Sequence, residues 1–149
     1  MSKIRVTKEF GFESAHALWN YDGKCKNVHG HSYRLFVTVI GTPIADESNV
    51  KLGMVLDFGD LKKIVNQNII DRFDHALVVS NRAEIKNIRE VNQMFDRFEV
   101  VNYQPTCENF IVDFANIIKD KFPPKVKLFS LRLYETPSSF AEWFADDQN

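Results

Sequence analysis

Residues 3 to 16, KIRVTKEFGFESAH, place Ile4, Val6, Phe10 and Phe12 on one parity, interrupted only by Lys8 and Ser14, with polar residues mostly on the other. Successive side chains of an extended chain point to opposite sides, so a period of two identifies a strand with one buried face. Residues 31 to 40, HSYRLFVTVI, are rich in aromatic and β-branched side chains and read as a second strand. His16 closes the first run on its apolar parity. His29 and His31 stand two apart at the start of the second run, and they share a side wherever extended geometry begins that early. An antiparallel pairing through the intervening loop gathers three of the chain's four histidines at one place.

Residues 54 to 58 read as a short third strand, after which the period changes. In FGDLKKIVNQNIIDRF, the residues Leu61, Ile64, Val65, Ile69 and Phe73 fit an amphipathic helix of about four turns. PTCENFIVDFANIIKDKFPP carries a second helix, with Thr106 as N-cap and Glu108 in the first turn. Phe110, Ile111, Phe114, Ile117 and Ile118 make its stripe, and Pro123-Pro124 stops it. Between the two, Ile85, Ile88, Val91 and Phe95 suggest a short helix and FEVV a short strand. VKLFSLRLYE, residues 126 to 135, is a further strand, followed by a turn at Thr136-Pro137-Ser138 and a last strand around residues 139 to 144. The expectation is one α+β domain over residues 1–149, a mostly antiparallel sheet with two main helices on one face.

A net charge of -1 and 26% charged residues lack the basic excess of nucleic-acid binders, and no apolar run is long enough to span a bilayer. Nucleic acid and membrane are therefore not the expected partners. The stretch MSKIRVTKEF has no apolar run of a secretory signal, which sets a cytoplasmic expectation and reads Cys25 and Cys107 as free thiols.

Three imidazoles with an open fourth position is the catalytic arrangement of zinc, and Gly30 between His29 and His31 leaves the backbone free to aim both rings inward. Cys25, four positions before His29, has two readings. It completes a closed His3Cys site, or it stands beside the metal as a thiolate base or nucleophile whose pKa the dication lowers. His75 follows Asp74 at the end of the first helix, a carboxylate–imidazole combination suited to acid/base work and equally to capping. Glu135 ends the apolar parity of Phe129, Leu131 and Leu133; it is either a strand-end carboxylate turned to solvent or a buried one that needs donors, which a ligand with an amidine-like or guanidine-like edge supplies.

In order and approximate spacing, FESAHAL, CKNVHGHSY, LDFGDLK, DHALV, PTCEN and YET resemble the 6-pyruvoyl-tetrahydropterin synthase family, from about Phe10 to Glu135. The Cys-x-x-x-His-x-His spacing is similar to its bacterial 6-carboxy-5,6,7,8-tetrahydropterin synthase branch, the pyruvoyl branch usually having a longer gap. The resemblance implies a T-fold: an antiparallel four-stranded sheet with two helices, oligomerising through its edge strands into a β-barrel. The implied homo-oligomer is a hexamer built from trimers, or a tetramer, with active sites at subunit boundaries. The resemblance also implies His16, His29 and His31 as Zn2+ ligands, Cys25 as catalytic base rather than ligand, and Asp74 with His75 as the acid/base pair. Glu135 corresponds to the anchor of the pterin's 2-amino and ring N–H edge, and Thr106 to a position beside the pterin pocket.

The implied reaction converts 7,8-dihydroneopterin triphosphate to 6-carboxy-5,6,7,8-tetrahydropterin with release of acetaldehyde and triphosphate, on the route to queuosine and 7-deazapurines. The alternatives are 6-pyruvoyl-tetrahydropterin formation without carbon–carbon cleavage, and a non-catalytic pterin- or metal-binding module. Lys24, Lys26, Arg34 and Arg132 are candidates for the triphosphate by charge alone. The segment from Ser80 to Tyr103 is longer than in the shortest members of the bacterial branch.

Overall fold

The computed structural model describes residues 1–149, the side chain of Ile85 excepted. Two thirteen-residue strands form its spine. β1 (Ile4–His16) and β2 (His29–Gly41) pair antiparallel along their full lengths, from Ile4 opposite Gly41 to His16 opposite His29. Extended geometry therefore does begin at His29. Phe10, Phe12, Ser14 and His16 of β1 and Tyr33, Leu35, Val37 and Val39 of β2 are buried on one face. Cross-strand neighbours on that face are the unit of sheet stabilisation, and Phe12 and Tyr33, directly opposite, stack with ring centroids 5.0 Å apart.

The first helix is segmented. α1 (Phe58–Val65) continues through a π-helical turn (Asn66–Ile70) into α2 (Asp71–Phe73). Its buried residues, Leu61, Val65, Ile69 and Phe73, recur every four positions, a longer step than the 3.6 residues of an α-helical turn. The wider π turn takes up the drift that such spacing would otherwise accumulate, and keeps the stripe on one line. α3 (Ile85–Asn92) and α4 (Cys107–Ile118) follow the sequence reading, and the Thr106 hydroxyl caps α4 by accepting from the Asn109 N–H at 3.2 Å. α4 buries Cys107, Phe110, Ile111, Phe114, Ala115 and Ile118, and Phe114 meets Phe73 and Phe12 at 5.1 and 6.0 Å between centroids.

The remaining strands are β3 (Ala76–Ser80), β4 (Phe98–Val101), β5 (Lys127–Thr136) and β6 (Ser139–Phe144), and the sheet order is β4-β3-β1-β2-β5-β6. The expected four-stranded antiparallel sheet is present as β1, β2, β5 and β6, but the whole sheet has six strands, because β3 and β4 add to the free edge of β1 in parallel. Residues 54–57 are not a strand. Val55 and Leu56 are apolar because they reach the core, and Asp57 is the N-cap of α1, its carboxylate accepting from Gly59 N–H at 2.6 Å. No helix among the described residues is long and apolar enough to cross a membrane.

Phe114, fully buried at the crossing of α4 with the sheet and the first helix, is the test of this core. Phe114→Ala is expected to cost about 3–5 kcal/mol in urea unfolding at fixed protein concentration, whereas Phe95→Ala, at a half-exposed position, is expected to stay within about 1 kcal/mol.

Candidate metal centre and proton-transfer pair

The register puts His16 opposite His29 and leaves His31 diagonal to His16, opposite Ser14. The three rings close on one another, with centroids 4.5 Å apart for His16 and His29, 5.1 Å for His16 and His31, and 5.0 Å for His29 and His31. β5 brings Glu135 to the same place. One ligand atom from each of the four residues lies within 4.8 Å of every other.

Hydrogen bonding fixes the tautomers. His16 Nδ1 lies 2.6 Å from the Pro105 carbonyl and His29 Nδ1 lies 2.8 Å from the Asn27 carbonyl; a carbonyl only accepts, so each Nδ1 carries the proton. Both Nε2 atoms are then lone pairs in the neutral rings, and they face each other at 2.9 Å. Two lone pairs at that distance repel unless a cation lies between them. His31 Nε2 is buried and approaches Glu135 Oε1 at 3.0 Å, yet it makes no aligned hydrogen bond. Outward-facing donors on the far side of the His16 and His29 rings, with bare nitrogens inside, is the arrangement of metal-bound imidazole. Three imidazoles and a carboxylate suit zinc, whose ~2.0–2.1 Å bonds place ligand atoms roughly 3.3 Å apart in a tetrahedron.

Burial outweighs the opposing Pro105 bond and, with smaller contributions from His29 and His31, pushes His16 down from 6.5 to about 4, so its ring is neutral at physiological pH. Tyr33 lies beneath the cluster, its ring 5.6 Å from that of His31, and its buried hydroxyl has no partner among the described residues.

Asp74 and His75 join α2 to β3. Asp74 Oδ1 is 3.0 Å from His75 Nδ1 and also accepts from the Glu13 N–H at 2.9 Å, while the His75 N–H donates to the Glu13 carbonyl at 2.5 Å. Partial burial works to raise the Asp74 carboxyl. The Glu13 bond, the His75 ring and the Arg97 charge outweigh it and hold the group below the usual carboxylate range. His75 sits in the left-handed region at φ 59°, with an exposed ring.

His31 and His75 line one cleft of about 810 Å³, together with Glu13, Ser32 and the segment Met94, Phe95, Asp96 and Arg97. The structure thus unites His16, His29, His31 and Glu135 in one cluster and sets Asp74–His75 on the neighbouring wall. Thr106 adjoins through Pro105, whose carbonyl holds His16. Cys25 is not brought in. It lies half-buried in a 3-10 turn (Lys24–Lys26), its carbonyl accepting from the Leu18 N–H at 2.8 Å, and it lines neither the cleft nor the cluster. Among the charge candidates, Arg34 pairs with Glu9 at 2.7 Å and Arg132 with Glu142 at 2.7 Å, so both are already engaged.

The sequence reading missed the carbonyls of Pro105 and Asn27, which no side-chain pattern announces. It also missed Gln104, whose amide accepts from Trp19 N–H at 2.9 Å and donates to Trp19 carbonyl at 2.8 Å, tying the β1–β2 loop to the approach of α4.

Comparison with known proteins places these observations in company. The 6-pyruvoyl tetrahydropterin synthase family matches residues 5–146. A 6-carboxy-5,6,7,8-tetrahydropterin synthase of Haemophilus influenzae is 36% identical over 142 residues, covering 94% of this chain and 98% of the relative. The enzyme of the same name from Rickettsia conorii is 32% identical over 141 residues, with 93% and 99% covered. The solved 6-pyruvoyl tetrahydropterin synthase of Plasmodium falciparum, at 19% identity, shares the fold with a TM-score of 0.72 over 96% of this chain and 98% of that one.

Two outcomes test the site's electrostatics. Burial, helped by the nearby Glu135 charge, pushes the Cys107 thiol up to about 12, and the thiol donates to the Leu133 carbonyl. Iodoacetamide at pH 8 is therefore expected to modify Cys25 in the folded protein and Cys107 only after denaturation, as read by peptide mass spectrometry. For metal-free protein, the depressed His16 pKa means that the unfolded chain binds a proton which the folded chain refuses between pH 6.5 and about 4. Stability is expected to fall as pH drops through that window, by roughly 3 kcal/mol in total, and His16→Gln is expected to flatten the slope in urea titrations at successive pH values.

Proposed function

Since the chain belongs to the 6-pyruvoyl tetrahydropterin synthase family, we propose that it is a zinc-dependent lyase converting 7,8-dihydroneopterin triphosphate to 6-carboxy-5,6,7,8-tetrahydropterin, with release of acetaldehyde and triphosphate. The reaction would serve queuosine and 7-deazapurine biosynthesis in the cytoplasm. The observation that carries the reading is the pair of unprotonated His16 and His29 Nε2 atoms facing each other at 2.9 Å beside the unsatisfied His31 Nε2. The names of the relatives and the short gap between Cys25 and His29 favour the carboxy product over 6-pyruvoyl-tetrahydropterin.

In this proposal His16, His29 and His31 hold the zinc. Bound there, the ion supplies Lewis acidity for negative charge developing on the substrate's side-chain hydroxyls. The Glu135 carboxylate lies at the histidine cluster; we assign it to the pterin's 2-amino and N–H edge, which leaves the fourth metal position open as catalysis needs. His75, its Nδ1 held by the Asp74 carboxylate, relays one proton at the exposed Nε2. Cys25 exchanges another as base. Because Cys25 lies outside the cleft of its own chain, we place the complete site at a boundary between copies in a homo-oligomer, with Thr106 beside the pterin.

Metal analysis and product identification test this reading together. His29→Ala is expected to lose zinc and turnover, and Cys25→Ala to keep one zinc per chain while turnover falls by roughly 10²–10⁴. Equal zinc loss in both would make Cys25 a ligand and sink its role as base. Mass spectrometry after incubation with 7,8-dihydroneopterin triphosphate should show the 6-carboxy product and acetaldehyde. A 6-pyruvoyl product would move the protein to the other branch, and no product from the zinc-loaded protein would leave a binding module.

A further inference from the structure

The segment Met94–Arg97, between α3 and β4, lines the cleft together with His31 and His75 and belongs to none of the motifs from which the site was read. Arg97 is its engaged residue. Its Nε donates to the Asp74 carbonyl at 2.8 Å, and a terminal guanidinium nitrogen donates to the Asp71 carbonyl. The Arg97 carbonyl in turn accepts from the Leu77 N–H at 3.0 Å. One residue therefore grips the chain on both sides of His75, at the helix end before it and at the start of β3 after it.

This hold falls where the backbone most needs one. The last carbonyls of a helix lack intrahelical donors and carry partial negative charge, and a planar guanidinium holds two N–H groups in a fixed fork that satisfies two of them at once, whereas an ammonium donates from a single point on a flexible stem. His75 directly follows in the left-handed region, which a non-glycine residue keeps only when its surroundings fix it. Arg72 offers an internal comparison. It joins α2 to β4 through an ion pair with Glu99 at 2.9 Å, without a bond to Asp74 or His75.

We propose that Arg97 is the positioning residue of the Asp74–His75 pair: by clamping the Asp71 and Asp74 carbonyls and the Leu77 N–H, it fixes the His75 imidazole at the wall of the cleft it shares with His31. The proposal rests on the reading of His75 as a proton relay and deepens it, since the holding group comes from a segment outside the recognised motifs. The charged and titratable groups around Asp74 are Glu13 of β1, Asp71 and His75 of its own segment, and Arg97.

The test uses the zinc-loaded full chain as wild type and as Arg97→Gln, Arg97→Lys, Arg72→Gln and His75→Ala. Steady-state kinetics on 7,8-dihydroneopterin triphosphate, zinc content and the Asp74 carboxyl titration by ¹³C NMR are measured for each. Arg97→Gln is expected to lower kcat roughly ten- to hundredfold with KM within about threefold, to keep one zinc per chain, and to move the Asp74 titration to higher pH. Arg97→Lys keeps the charge without the fork, so the Asp74 titration should return toward wild type while most of the kcat loss remains. Arg72→Gln should match wild type throughout. If Arg97→Gln matches Arg72→Gln in kcat and in the Asp74 titration, or loses zinc in proportion to activity, the proposal is overturned. Should Arg97→Gln fail to fold, full kcat in Arg97→Lys overturns it. Turnover surviving in His75→Ala defeats the proton-relay reading itself, while the Asp74 titration in the Arg97 variants still decides whether Arg97 holds the pair.

Discussion

The pairing of β1 with β2 is the constraint on which everything else rests. Thirteen consecutive residue pairs fix one register, and that register alone puts His16 opposite His29 and diagonal to His31. A slip by one residue would turn every side chain of one strand to the opposite face, separating His16 from the other two and exposing Phe10 and Phe12 together. The Phe12–Tyr33 stack, two pairs below the histidines, sits where such a slip would cost most. The hydrophobic pattern that folds the sheet is thus the same pattern that assembles the histidine cluster.

The helix above the sheet finishes the site. Pro105 directly precedes the α4 N-cap Thr106, and its carbonyl decides which nitrogen of His16 carries the proton. Phe110, one turn into α4, stacks against the His16 ring with centroids 6.2 Å apart. The position of α4 is set by Phe110, Phe114 and Ile118 in the core, so core packing is transmitted to the His16 tautomer through a single carbonyl. Burial of His16 makes this coupling matter, because a ring held neutral at physiological pH presents its lone pair inward and depends on Pro105 for its other hydrogen bond.

What could be read from the sequence follows the range of the interactions involved. The long strands, both main helices and the Thr106 cap were legible because parity, helical stripe and capping are local patterns, and the three-histidine cluster followed from adding one antiparallel pairing. β3 was not read, since four apolar residues after Asp74–His75 look like the tail of a helix until a parallel partner is known. The strand assigned to residues 54–58 failed for the converse reason: Val55 and Leu56 are buried without any strand beside them. Pro105, Asn27 and Glu13 act through backbone groups, which sequence does not distinguish. Arg97 had no local signal either, since its meaning lies in the end of a helix twenty-three residues earlier.

The join between α2 and β3 shows how far structure and chemistry overlap in this site. β3 begins pairing with β1 at Ser14 opposite Ala76, so Glu13 lies one step beyond the ladder with its N–H and carbonyl unclaimed by a strand. Asp74 takes the N–H with its side chain and His75 takes the carbonyl with its backbone. The two residues together stand in for one strand residue, and they do so only if the chain turns through the left-handed region at His75. That turn swings the imidazole out of the sheet and toward the cleft, while the Asp74 oxygen that closes the ladder also reaches Nδ1 of the ring. The strained backbone is therefore the geometric condition for ending a parallel ladder and exposing a carboxylate-held imidazole in the same two residues.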